Sequence, residues 1–165
     1  MKLIDKKTFK SLTAAQKRVE IAKDVLLRIK KKMVSPTVGQ FFTNLDDVIG
    51  GLDWKDSVQE AINNSQCEVC AKGALVCSWV GNFNRVKKKD VVGFDIDLRY
   101  EDSFPKSLVK LFGRDMLDCI ENNFEGMDYG WASKEASKRG IHPKYCGNLA
   151  AIMKNIIKNN GTFIP

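Results

Sequence analysis

A long apolar stripe near the start of the chain constrains its fold more than any other feature. Between Thr13 and Met33, the residues Ala15, Val19, Ala22, Leu26, Ile29 and Met33 recur at alternating spacings of four and three, and Ile21 and Val25 widen the stripe. That period puts the apolar side chains on one side of an α-helix, which must bury them against a partner. Thr13 or Ser11 offers an N-cap. Lys30, Lys31 and Lys32 fall in the last turn, where cations complement the helix dipole, and Ser35-Pro36 supplies a stop.

The rest of the sequence reads as elements that pack on this helix. Residues 37–53 mix aromatics with turn formers, and Gly50-Gly51 predicts a turn. A helix is expected from Trp54 to Asn63, with Asp53 as its N-cap. Cys67 to Val80 predicts another, rich in small residues (Cys67, Cys70, Ala71, Ala74, Cys77, Ser78), so that neighbouring backbones approach closely around a central helix; Gly81-Asn82 ends it. Residues 85–102 alternate Val92, Phe94, Ile96 and Leu98 with Gly93, Asp95, Asp97 and Arg99, the two-residue period of a strand. It is expected either to form a loop arm or to pair with the segment near 38–43.

Phe104 to Phe124 reads as helical, with Pro105 in its first turn and Gly113 dividing it. Residues 125–143 read as a loop with a short helix near Ala132–Lys138. A last helix is expected from Tyr145 to Asn159, stopped by Asn160-Gly161. The expectation is a mainly α, small single-domain helical fold over residues 1–165, with five to seven helices and at most a minor β hairpin.

A chain of 165 residues suits one domain. No apolar run approaches the roughly 18 residues of a membrane span, and the N-terminus lacks the apolar core of a signal peptide. The expectation is a cytoplasmic protein without a membrane partner. Five cysteines, an odd number, argue for reduced thiols rather than a disulfide framework. The net charge of +7 is uneven: residues 1–33 hold eleven Lys or Arg against three acids, and the remainder is close to neutral. Such asymmetry marks either an anionic partner or a solvated helix face.

Four phrases occur in order: IAKDVLLRIKKK at 21–32, CEVCAKGALVCS at 67–78, LDCIENNFEG at 117–126 and AAIMKNIIKNNGTF at 150–163. Together they resemble a family of small tailed-bacteriophage proteins with a mid-chain Cys-x-x-Cys-Ala-x-Gly-Ala phrase and an Asn-Asn-Gly-Thr-Phe phrase near the end. The resemblance implies a phage protein acting inside an infected bacterium. It brings no catalytic residues with it.

Several constellations compete for chemistry. Cys67, Cys70, His142 and Cys146, with Cys119 in reserve, have the residue types of a zinc site, but a helical pattern follows Cys70 directly; packing thiols are the alternative. A redox Cys67-x-x-Cys70 pair would need a preceding thioredoxin-like strand. Lys72-Gly73 lacks the glycine and hydroxyl spacing of a phosphate loop. Asp95 and Asp97 share one strand face, as a metal-dependent nuclease would require, or form a solvated edge. His142 lacks the partners of a hydrolase triad.

The basic and aromatic residues weigh most. Arg18, Arg28, Lys72, Arg85, Lys87 and Lys88 supply cations, and Trp79, Tyr100 and Trp131 supply stacking surfaces. The expectation is a phage binding protein without a cofactor, sequestering a nucleotide-derived signal to counter host immunity. The alternatives are a nucleic-acid-binding or host-protein-inhibiting module, and a metal-dependent nuclease or hydrolase. A homo-oligomer is compatible with any of them.

Overall fold

The computed structural model describes residues 6–44, 47, 48, 50–52, 58–83, 105–126, 138 and 140–165. Among them are α1 (Lys6–Ser11), α2 (Ala14–Lys30), β1 (Val34–Pro36), α3 (Val58–Asn64), β2 (Cys67–Val69), α4 (Ala71–Ser78), α5 (Lys106–Phe112), α6 (Arg114–Glu125) and α7 (Leu149–Lys158). A π-helical turn, Trp79–Phe83, extends α4, and a 3-10 turn, Pro143–Tyr145, precedes α7. The fold is mainly α, with one two-stranded sheet among the described residues. No helix among them is long and apolar enough to cross a membrane.

α2 begins at a reciprocal cap. Gln16 N–H donates to Thr13 Oγ1 at 3.3 Å, and Thr13 N–H donates to Gln16 Oε1 at 2.9 Å. It ends before Pro36 is reached: Lys32 turns left-handed at φ 59, and Met33 N–H donates to Arg28 O. The buried positions are Ile21, Ala22, Asp24, Val25 and Arg28, while Val19, Leu26 and Ile29 are half-buried. The buried face is therefore centred on the residues that only flanked the apolar stripe, and it carries an ion pair. α2 packs against α7, α4 and α5.

The helix expected from Cys67 starts four residues late. Cys67–Val69 is a strand, parallel to β1 in the register Val34↔Cys67 to Pro36↔Val69. The sheet is not a hairpin, because the connection from β1 to β2 runs through α3 and returns the chain in the same direction. The 40–44 segment lies on the other edge of β2: Phe42 bridges Val69, and Thr43 N–H donates to Glu68 O at 2.8 Å. β2 thus takes the place expected for a strand from 85–102, which lies outside the described residues, as do Asp53 and Trp54.

α4 is the centre of the fold. All eight of its residues, Ala71 to Ser78, are buried. Its glycine is there for space: a Cβ on Gly73 would lie 2.8 Å from Val69 Cβ and collide with the Phe41 carbonyl. The chain does not stop at Gly81-Asn82. It winds on as the π turn, and the Gly81 carbonyl accepts from Gln59 Nε2 at 2.9 Å and Asn63 Nδ2 at 2.8 Å on α3.

Gly113, at φ 79, divides α5 from α6. α7 begins at Leu149 rather than Tyr145, because Gly147 is left-handed at φ 62 and Asn148 caps the helix through Ala151 N–H at 3.1 Å. Asn160 and Gly161 close it with φ 51 and 91. One buried cluster runs from Phe9 to Phe163.

Candidate functional site

The three described cations expected to bind a ligand are all engaged by the fold. Arg18 sits on the second turn of α2, where Nε donates to the Gly161 carbonyl at 2.5 Å and Nη1 to the Leu111 carbonyl at 2.7 Å. Arg28 is 3% exposed; Nε donates to Asp24 Oδ2 at 2.7 Å and Nη2 to Asn63 Oδ1 at 2.8 Å. Its Nη1 is buried with no hydrogen-bond partner among the described residues. Lys72 is 8% exposed, and its ammonium lies 2.9 Å from Asp118. Each of the three thus makes polar contacts within the protein, Arg18 from a half-buried position and Arg28 and Lys72 from buried ones.

Trp79 is half-buried and meets Phe9 edge-on at 6.0 Å. Arg85, Lys87, Lys88, Tyr100 and Trp131 lie outside the described residues, as do Asp95 and Asp97.

The zinc set drawn from the sequence is not gathered. Cys67 opens β2, where its thiol meets that of Cys77, whose hydrogen bond holds Cys67 below the usual thiol range. Cys146 packs against Gly126 and contacts the His142 carbonyl at 3.7 Å. His142 meets Tyr145 edge-on at 6.4 Å. The group that does converge among the described residues is Cys70, Glu121 and Glu125, whose ligand atoms all lie within 4.8 Å of one another.

Its geometry follows from the packing of α6 on α4. Cys70 is the N-cap of α4, and its sulfur accepts from Gly73 N–H at 3.5 Å. Glu121 and Glu125, four residues apart, share one face of α6. Glu121 Oε2 accepts from Lys72 N–H at 3.2 Å, and Glu125 Oε2 accepts from Gly39 N–H at 2.6 Å. Burial pushes the Glu121 carboxyl up, with Asp118 adding to it. Burial, then the neighbouring carboxylates, pushes the Cys70 thiol well up.

Sequence reasoning grouped Cys70 with Cys67, His142 and Cys146, whereas the structure brings Glu121 and Glu125 to it. A signal for Glu121 and Glu125 was present in the sequence: Glu121 directly follows core residue Ile120, and Glu125 directly follows core residue Phe124, so both acids border the buried face.

No protein-family model, curated protein or solved structure matches the chain.

Proposed function

We propose that this chain is a phage-encoded binding protein whose cationic surface engages a nucleic-acid backbone inside the infected bacterium. The phage setting comes from the four ordered phrases. The binding mode is supported by the way the described cations divide. Arg18, Arg28 and Lys72 make contacts within the fold, whereas many of the other described cations lie at the surface. Exposed cations among the described residues include Lys10, Lys30, Lys31, Lys32, Lys106, Lys110, Lys144, Lys154 and Lys158; the exposed acids among the described residues are Asp47, Glu60, Asp115 and Asp118. Lys106 and Lys110, like Lys154 and Lys158, sit four apart on one helix face. A surface of this kind reads charge density rather than base identity.

The test is binding to mixed-sequence duplex DNA across a salt series. Each phosphate contact contributes about −0.9 to the slope of log affinity against log salt. Reversing Lys30, Lys31 and Lys32 to Glu should weaken binding on every sequence and flatten that slope. Affinity equal to wild type in the triple variant overturns the reading. A thermal shift with cyclic di- or trinucleotides or cyclic ADP-ribose derivatives, in a protein that ignores DNA, would move the assignment to capture of a small nucleotide signal.

A further inference from the structure

We propose that Cys70, Glu121 and Glu125 form a binding site for one divalent transition-metal ion of the zinc class, independent of any nucleic-acid surface. Three observations carry it. The first is convergence: one thiol and two carboxylates, delivered by two packed helices, bring their ligand atoms within 4.8 Å of one another. An ion with Zn–S near 2.3 Å and Zn–O near 2.0–2.2 Å needs its ligand atoms closer than that by roughly 1 Å, a shift that side-chain rotation supplies.

The second is orientation. Each carboxylate has one oxygen held by a backbone donor, Lys72 N–H for Glu121 and Gly39 N–H for Glu125. Such outer contacts fix ligating carboxylates in metal sites and aim the second oxygen. The ligand residues and the backbone groups that hold them come from three segments, the start of α4, α6 and the chain around Gly39, so the cradle is made by the tertiary fold and not by one helix. The third is placement. Cys70 is 1% exposed, and the Lys72 ammonium, whose charge also acts on Glu121, is paired with Asp118 at 2.9 Å.

The donor set selects the class of ion. Thiolate disfavours magnesium and calcium, and the two carboxylates suit a borderline ion better than copper(I). Three protein ligands leave a fourth position for water or a substrate atom.

The test uses the full chain, stripped with chelator and titrated with Co2+ as a spectroscopic probe, then with Zn2+ by calorimetry. One equivalent should bind, with a thiolate-to-cobalt charge-transfer band and the intense visible bands of a tetrahedral ion. Cys70→Ser keeps an N-capping side chain, and circular dichroism checks its fold. It should lose the charge-transfer band. Glu121→Gln and Glu125→Gln, which keep an oxygen for the backbone donors, should each weaken binding by at least about tenfold. Cys119→Ser and Cys146→Ser should bind as wild type. Absence of stoichiometric binding in the folded wild-type chain overturns the site. So does a band that survives Cys70→Ser, or one that disappears in Cys146→Ser.

Discussion

The Arg28 guanidinium donates to the Asp24 carboxylate at 2.7 Å across one turn of α2, with side chains only 4% and 2% exposed. Asn82 Nδ2 donates to the same carboxylate oxygen at 2.5 Å, and Arg28 Nη2 reaches Asn63 on α3. The pair therefore ties α2 to α3 and to the π turn. Removing one partner from a buried pair strands the other charge and costs about 3–5 kcal/mol. Asp24→Asn should lower stability by that amount in urea unfolding. The double variant Asp24→Asn, Arg28→Met should lose less than the sum of the two single changes. An unshifted midpoint in Asp24→Asn would show that the pair contributes nothing.

Gly73 makes the opposite of the usual helix prediction. Replacing a helical glycine by alanine normally gains about 0.5–1 kcal/mol. Here the added methyl would press on Val69 Cβ and the Phe41 carbonyl, where α4 meets β2 and the 40–44 segment. Gly73→Ala should instead lose about 1–3 kcal/mol, the range for overpacking. Gly51→Ala, with open space around its Cβ, is the control and should be neutral within about 0.5 kcal/mol.

The helical pattern told most of the fold. α7 lies within the span its period predicts and buries Leu149, Ile152, Met153 and Ile156, and the Asn160-Gly161 stop lies where the sequence puts it. What the pattern could not show is decided by neighbours. A run such as Cys67-Glu68-Val69 has no helical or strand period of its own over three residues. It becomes a strand because Met33 O and the 37–44 segment take up its backbone groups. The candidate ligand residues were least legible. Arg28 looks like any surface cation in sequence, and only the fold turns it inward onto Asp24. Glu121 and Glu125 carry a four-residue spacing, but their partner Cys70 lies some fifty positions earlier, and only the α4–α6 contact joins them.

Thiol chemistry should sort the five free cysteines by burial. Cys67, Cys70 and Cys77 are at most 1% exposed, and Cys119 and Cys146 are half-buried. A thiol reagent should modify two sites in the native protein and five in denaturant, counted by mass spectrometry. Burial raises the pKa of Cys119 and Cys146. A raised pKa means less thiolate at a given pH, and thiolate is the reactive form. Native labelling should therefore still be accelerating above about pH 8.5, where an unperturbed thiol begins to level off. Rapid modification of Cys77 in the native state would contradict the placement of α4 at the centre.

Arg18 should act as the clasp of the C-terminal segment. Its Nε and Nη1 reach two different carbonyls, Gly161 O beyond α7 and Leu111 O in α5, so one side chain on α2 ties both to it. Gly161 lies so close to the α2 backbone that a Cβ there would run into the Ala15 carbonyl. Asn155 then holds the chain end by donating to Ile164 O at 2.6 Å and accepting from Ile164 N–H at 2.9 Å. A charged hydrogen bond contributes about 1.5–3 kcal/mol when buried, and Arg18 is only partly buried, so Arg18→Ala should cost about 2 kcal/mol. Arg18→Lys carries a single ammonium that cannot fork to both carbonyls, and it should recover no more than about half of that. Hydrogen exchange distinguishes a clasp from a general packing defect. Arg18→Ala should release the amides of Gly161 and Ile164 while those of α4 stay protected. Equal loss of protection throughout α4 would show that Arg18 supports the whole core instead.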